Sequence, residues 1–174
     1  MNPKGQSPRA FQAHVAAAAA ARDRRRGFSL VELLIVVAII GIIAAIAVPN
    51  LLASRRAANE ASAISSIRSF STGEITYRAT YGEGAQFGDM AALTGRQIID
   101  GGLGAATTPS SAKSGYVFSL VTSPDGKTFC AGAAPLRSVT GSRNFSSDEP
   151  GVIYVHPVAY ASPPLTTAGG SPLN

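Results

Sequence analysis

The sequence predicts an α+β protein in which one long N-terminal helix packs on a small antiparallel sheet. Three observations support this class. An uncharged apolar run follows Glu32, and beyond it apolar residues recur three and four positions apart, as on one face of a helix. The C-terminal half holds short alternating segments separated by turn residues, which is typical of antiparallel strands. With 174 residues, the chain can form one domain with a modest core.

The apolar run is long enough to cross a membrane. Between Glu32 and Arg55 lie 22 residues without a charge. As a helix they would span about 33 Å, close to the roughly 30 Å hydrocarbon core of a bilayer. A helix in a soluble core usually keeps a polar face, which this one lacks. The sequence therefore predicts a transmembrane segment at about residues 30–52.

The excess positive charge lies ahead of this segment. The formal net charge is +5, but residues 1–27 hold six basic residues and one acidic residue, whereas the rest of the chain holds nine of each. Under the positive-inside rule, Arg24, Arg25 and Arg26 predict that the N-terminus stays in the cytoplasm. Because the remainder is neutral, we expect no nucleic-acid partner.

The junction Arg26-Gly27-Phe28, with Glu32 at the fifth position counted from Phe28, resembles the signal of type IV prepilins. The resemblance covers about a third of the chain. It implies that a prepilin peptidase cuts between Gly27 and Phe28, removes residues 1–27 as a leader, and methylates the new amine of Phe28. It also implies the pilin fold, or that of the related pseudopilins of type II secretion systems.

Glu32 has two interpretations. Ser29 to Glu32 follow the capping pattern S-x-x-E, so the carboxylate can satisfy a backbone N–H at the helix start. Alternatively, cleavage creates a cationic amine on Phe28, four residues away on the same helical face. The resemblance implies that Glu32 can also meet the Phe28 amine of a neighbouring subunit, as an assembly salt bridge.

An ordinary export signal is the remote alternative. Arg25-Arg26-Gly27-Phe28 loosely matches a twin-arginine signal, and Ala45-Ile46-Ala47 resembles a small-x-small cleavage site. The mature protein would then be an exported soluble domain. A carboxylate at the start of the apolar run and the length of that run favour the prepilin interpretation.

Gly41 and Pro49 interrupt the apolar helical pattern. Pro49 lacks an N–H donor and its ring clashes with the carbonyl four residues back, so we expect a kink near residues 45–48. A tolerated transmembrane proline explains the residue equally well in a monomer. The pilin resemblance adds the hypothesis that this segment unwinds when a filament assembles.

A helical pattern continues beyond the membrane segment. Its predicted apolar stripe is Ala57, Ala61, Ile64, Ile67, Ser71 and Ile75, and the charged residues Glu60, Arg68, Glu74 and Arg78 fall outside it. A helix over residues 28–81 would be about 80 Å long. No small domain can bury such a helix, and its apolar half needs lipid or other copies of itself. This mismatch predicts polymerisation.

The rest of the chain is predicted to form a globular head over residues 82–160. Residues 82–115 are interpreted as a loop with one helical turn. Strands are expected at residues 116–121, 128–133, 143–146 and 152–156, as two hairpins with one sheet face toward solvent. Residues 161–174, rich in Pro, Ser, Thr and Gly, are predicted to be a flexible tail.

The sequence does not indicate an enzyme. His14 lies in the leader and His156 is isolated, so no zinc or acid–base site is expected. Asp148 and Glu149 lack the alternating spacing of a calcium loop and are interpreted as a solvated turn. Cys130, the single cysteine, is expected to be a small buried residue on a strand. We expect no metal and no cofactor.

The functional hypothesis is a type IV pilus-like filament subunit, with a type II secretion pseudopilin as the alternative. The resemblance implies several partners: other copies of the chain, the membrane, the prepilin peptidase, an inner-membrane assembly platform and minor pilins. It also implies an inner-membrane location with a cytoplasmic N-terminus before assembly. The assembled filament would be periplasmic or extracellular.

Overall fold

The computed structural model describes residues 27–173. The predicted orientation residues Arg24, Arg25 and Arg26 lie outside the described residues. The chain divides into two units between Ala47 and Val48. The predicted α+β class is confirmed, with a long helix α1 (Leu30–Thr80) and a five-stranded antiparallel sheet.

Within the second unit, α1 buries one face. The buried residues are Glu60, Ala63, Ser66, Ile67, Phe70, Ser71, Gly73 and Glu74. The predicted stripe is right at Ile67 and Ser71 but wrong at Ala57, Ala61 and Ile75, which are exposed, Ile75 at 60%. The prediction also places Glu60 and Glu74 outside the buried stripe, and this is wrong. Both carboxylates are buried because they accept hydrogen bonds from segments that are distant in sequence, which periodicity cannot reveal.

Residues 82–115 contain more helix than predicted. Helix α2 (Met90–Gly95) and helix α3 (Gly101–Ala105) are followed by a 3₁₀ turn at Pro109–Ser111. Asp89 caps α2 by accepting the Ala92 N–H at 2.7 Å, and Asp100 caps α3 by accepting the Leu103 N–H at 2.8 Å. Each of these short helices places one buried leucine, Leu93 or Leu103, in the core.

The sheet is a meander in which each strand pairs with the next one in the chain. Its strands are β1 (Tyr116–Thr122), β2 (Phe129–Pro135), β3 (Asn144–Ser147), β4 (Ile153–His156) and β5 (Ser171–Pro172). The four predicted strands correspond to β1–β4. Two glycine- and proline-containing turns, which the sequence made visible, separate β1 from β2 and β3 from β4. The fifth strand was not predicted.

The core lies between α1 and the inner face of the sheet. Phe118 on β1 pairs with Ala133 on β2, which in turn pairs with Phe145 on β3. The small alanine between two aromatic residues leaves room for the helix. Phe70 of α1 packs there, with its ring centroid 6.0 Å from that of Phe118.

The outer face of β2 is covered, contrary to the prediction of a solvated face. All seven residues of β2 are buried. The segment after β4 crosses this face, because the Ala161 N–H donates to the Pro135 carbonyl at 2.9 Å and Ser119 Oγ donates to the Pro164 carbonyl at 3.3 Å. Gly132 permits the crossing, since a side chain there would collide with the Pro164 carbonyl.

Strands β1 and β4 each have a further backbone partner on their outer side. On one side β5 pairs with β4 through Ser171 and Pro172, and the Leu173 N–H donates to the Ile153 carbonyl at 2.7 Å. The sequence interpretation of residues 161–174 as a tail missed this strand. On the other side, the Phe118 N–H of β1 donates to the Ala106 carbonyl at 2.8 Å.

Candidate functional site

The first candidate site is the start of α1. Phe28 is 73% exposed and precedes the first helical residue by two positions. Glu32 Oε2 accepts the Ser29 N–H at 2.9 Å, while Ser29 Oγ accepts the Val31 N–H at 3.3 Å. These bonds satisfy two N–H groups that a helix start leaves without partners. Glu32 therefore caps α1 as the first sequence interpretation expects, and its pairing with a Phe28 amine stays a prediction.

The surface that follows is apolar and fully exposed within its unit. Every residue from 27 to 47 is exposed, including Leu30 at 72% and Ile42 at 66%. By length and composition α1 can cross a membrane. At about 25 cal/mol per Å² of apolar area, covering such a surface is strongly favourable. The exposed surface thus requires lipid or protein as a partner.

Gly41 and Pro49 both lie inside α1. In the described part of the chain, a side chain added at Gly41 would meet no atom within 4 Å. Intramolecular packing thus does not explain a glycine there. The helix assignment continues through Pro49, and the expected kink stays a prediction.

A second cluster, which sequence reasoning missed, fixes α1 to the loop before β3. Glu60 is 6% exposed and accepts four hydrogen bonds. Its Oε1 accepts the Ser142 N–H and Oγ, both at 2.9 Å, and its Oε2 accepts Arg143 Nε at 2.9 Å and Nη2 at 2.6 Å. Burial raises the pKa of Glu60, but these donors outweigh it and hold the pKa below its usual range.

Glu74, one further buried carboxylate of α1, has a different environment. It has no exposed area, and its Oε2 accepts the Gly88 N–H at 2.9 Å. Its Oε1 is buried without a hydrogen-bond partner among the described residues. Burial raises the pKa of Glu74 to about 7. The hydrogen bond from the Gly88 N–H lowers the pKa, but by less, and the negative charge of Asp89 raises it further.

The C-terminal candidates behave mostly as structural residues. Cys130 is buried on β2, as predicted, and burial raises the pKa of its thiol to about 11. His156 Nε2 lies 2.6 Å from Ser146 Oγ, and Ser146 is fully buried. Within residues 27–173 no three potential metal ligands lie together.

The predicted solvated turn at Asp148 and Glu149 is wrong, because both side chains are partly buried. Glu149 Oε1 accepts the Phe129 N–H at 2.6 Å, and Asp148 Oδ2 accepts Thr167 Oγ1 at 3.2 Å. The two carboxylates connect this turn to β2 and to the C-terminal segment. Their partners are distant in sequence, so spacing alone gave no signal for them.

Comparison with known proteins places the start of α1 in context. Residues 22–48 match the prokaryotic N-terminal methylation motif. The chain is 63% identical over 35 residues, 20% of its length, to the type IV wide pilus major component PilA4 of Thermus thermophilus. It is 43% identical over 47 residues, 27% of its length, to the type II secretion system core protein G of Escherichia coli. It is 38% identical over 68 residues, 39% of its length, to the type IV major pilin protein PilA of Myxococcus xanthus.

The similarity is confined to part of each protein. The matches span 27%, 32% and 30% of these three relatives, so the chain covers about a third of their lengths. No solved structure matches the chain. The relatives are pilus and secretion-system components, and none of their names describes an enzyme.

Proposed function

We propose that this chain, whose N-terminal segment is that of the type IV pilin and pseudopilin family, is a structural subunit of a type IV pilus-like filament. The subunit polymerises through α1 after its leader is removed. The observation that carries the proposal is the exposed apolar surface of residues 33–47, preceded by a single carboxylate and by the Gly27–Phe28 junction.

The exposed apolar surface of α1 would be covered first by the membrane and then by other copies of the chain. A lone subunit would insert α1 in the inner membrane, with the N-terminus in the cytoplasm. In a filament the same surface would be covered by α1 of other copies. Because the contact joins different surfaces on each copy, the assembly is open-ended and extends outside the membrane.

The Glu32 carboxylate would set the stagger between neighbouring α1 helices. Cleavage between Gly27 and Phe28 leaves an amine whose reference pKa is near 8, so it is mostly cationic at neutral pH. Glu32 Oε2 accepts the Ser29 N–H, and Oε1, which accepts no hydrogen bond among residues 27–173, can receive this cation from the same subunit or a neighbour. Removing one partner of a desolvated ion pair costs on the order of 3–5 kcal/mol, which would favour a single stagger between neighbouring helices.

The proposal requires processing and assembly partners. A prepilin peptidase would cut after Gly27 and methylate Phe28, and an inner-membrane platform with minor pilins would start and extend the filament. Mass spectrometry of the mature N-terminus tests this. A chain beginning at N-methyl-Phe28 supports the filament subunit, whereas a chain beginning at Val48 identifies an export signal and overturns it.

A second candidate is a pseudopilin of a type II secretion system. The 43% identity to core protein G over 47 residues favours it specifically. Both candidates share the processing of Phe28 and the packing of α1, so the mature N-terminus does not separate them. Deletion of the gene does: loss of surface filaments and twitching indicates a pilus, while loss of exoprotein release indicates a pseudopilus.

A further inference from the structure

The loop that follows α1 is held on the helix by a buried carboxylate. The loop, residues 82–89, lies between α1 and α2. Its Gly88 N–H donates to Glu74 Oε2 at 2.9 Å. Gly88 is buried, and a Cβ added there would lie 2.6 Å from Leu93 Cδ1 and 3.1 Å from the Tyr77 ring. Gly88 thus packs closely against Tyr77 of α1 and Leu93 of α2 while it donates to Glu74.

The carboxylate itself is poorly satisfied. Glu74 has no exposed area, and Oε1 has no hydrogen-bond partner in the described part of the chain. An ionised carboxylate in this position gives up water on both oxygens and receives one N–H in return. A neutral side chain keeps the bond from Gly88 without that desolvation cost.

Few charges offset the buried carboxylate. Among residues 27–173, Glu74 forms no salt bridge. Arg78 of α1 donates to the Gly84 carbonyl and lies over the Phe87 ring, while Arg96 after α2 lies over the Tyr77 and Tyr81 rings. The remaining charges around the loop are Glu83 and Asp89 within it, and Asp125 and Lys127, which pair with each other in the β1–β2 turn.

We propose that protonation of Glu74 controls whether residues 82–89 stay packed on α1. The neutral side chain keeps the loop closed. Ionisation favours an open state in which the carboxylate reaches water and Gly88 leaves its place over Tyr77. Burial raises the pKa of Glu74 to about 7 in the closed state, so the equilibrium shifts toward the open state as pH rises to about 7.

The β1–β2 turn would respond to the same event. The Phe87 N–H donates to the Gly126 carbonyl at 2.7 Å, and the Phe87 ring lies 4.9 Å from that of Phe129. Opening of the loop withdraws Phe87 from both partners. This surface of the head would therefore shift from the closed form toward the open form as pH rises.

Hydrogen exchange of the processed full-length chain in detergent micelles tests the proposal. Amide protection of residues 82–88 is measured at pH 5.5 and pH 8.5, corrected for intrinsic exchange. A pKa of about 7 when closed and about 4.5 when open predicts a loss of protection of roughly 30-fold at the higher pH. Protection within β2 is the internal reference: it should stay higher than that of the loop at both pH values, which shows that the loop opens without unfolding of the head.

Two variants separate Glu74 from other titrating groups. Glu74→Gln stays neutral and can still accept the Gly88 N–H, so it should keep the loop protected at both pH values. Glu83→Gln removes an exposed carboxylate of the same loop and should behave like the wild type. Equal corrected protection of the wild type at both pH values overturns the proposal, as does a Glu74→Gln chain that retains the pH dependence. The wild-type measurement decides even if Glu74→Gln fails to fold.

Discussion

Glu60 Oε2 of α1 lies 2.6 Å from Arg143 Nη2, and the two residues are 83 positions apart in the chain. The contact joins the helix to the loop before β3. The Tyr116 hydroxyl donates to the Arg143 carbonyl at 3.1 Å, so the loop is also fixed to β1. Arg143 thus connects the helix through its guanidinium and the first strand through its backbone carbonyl.

Arg143→Ala should destabilise the head by about 2 kcal/mol. The substitution leaves the buried Glu60 carboxylate with Ser142 as its donor, and the partial exposure of Arg143 limits the loss. Urea unfolding of the detergent-solubilised chain measures the change. Arg68→Ala, an exposed arginine of α1, is the control and should stay within about 0.5 kcal/mol of the wild type. Equal effects of the two substitutions would contradict the role of Arg143.

The stability of the head should fall as pH rises from about 4.5 to about 7. The pKa of Glu74 is higher in the folded state, about 7, than in the unfolded chain, so the folded state binds more protons in this window. The full difference corresponds to about 3 kcal/mol. Unfolding free energies of the wild type and Glu74→Gln across this range measure it. Parallel curves would show that Glu74 does not cause the slope.

Below this window the sign reverses for Glu60. Its folded-state pKa is lowered, so its contribution is present above the unfolded value of about 4.5 and disappears as pH falls through the lower folded value. Glu60→Gln should therefore lose less stability on acidification than the wild type does. The comparison uses the same unfolding measurement between pH 5 and pH 3. If Glu60→Gln loses as much stability as the wild type between pH 5 and pH 3, groups other than Glu60 cause the loss.

Glu32→Ala should reduce filament yield strongly while leaving the head folded. The carboxylate is the single charged partner for the Phe28 amine between residues 27 and 54, and loss of a desolvated partner costs on the order of 3–5 kcal/mol per contact. Sheared filaments are quantified against total cellular protein. Glu83→Ala is the matched control and should assemble normally. Wild-type yield from Glu32→Ala would refute an assembly role for this carboxylate.

Pro49→Ala should change filament geometry if the helix unwinds on assembly. Alanine restores the missing N–H and removes the ring, so residues 45–49 should remain helical. Subunit rise and extension under load are measured by electron microscopy and by force spectroscopy. An unchanged subunit rise and extension would show that Pro49 does not cause the helix to unwind on assembly.

Gly132→Leu should release the segment that crosses β2. Its side chain would occupy the place of the Pro164 carbonyl, so residues 159–164 would have to leave the sheet. Limited proteolysis should then cut this segment faster than in the wild type, and stability should fall by roughly 1–3 kcal/mol. Gly95→Leu is the control, because a side chain added at Gly95 meets no atom within 4 Å. Gly151 is not used, because its positive φ would strain any other residue. Equal cleavage of the Gly132→Leu and Gly95→Leu chains would argue against the close crossing.

Local pattern was sufficient to predict α1 and the four longer strands. Apolar spacing and turn residues act within a few positions, and both signals are present in the sequence. In residues 82–115 the sequence predicts one helical turn instead of helices α2 and α3, because five or six residues cannot show a periodicity. Asp89 and Asp100, each directly before a helix, were the available N-cap signals.

The burial of Glu60 and Glu74 could not be inferred in the same way. A glutamate on a helix is normally assigned to solvent, and only the folded chain brings Ser142, Arg143 and Gly88 to these two positions. The capping role of Glu32 was accessible because its partner, Ser29, is three residues away. Interactions between residues close in sequence could thus be predicted, whereas interactions between residues distant in sequence could not.

The occupied sheet edges have a consequence for how copies can join. Ser171–Pro172 closes one edge with a two-residue strand whose proline offers no N–H, and the Ala106 carbonyl engages the Phe118 N–H at the other. Edge-to-edge pairing of two heads is thereby disfavoured. In the proposed filament, copies would therefore join through α1 and not through their sheets.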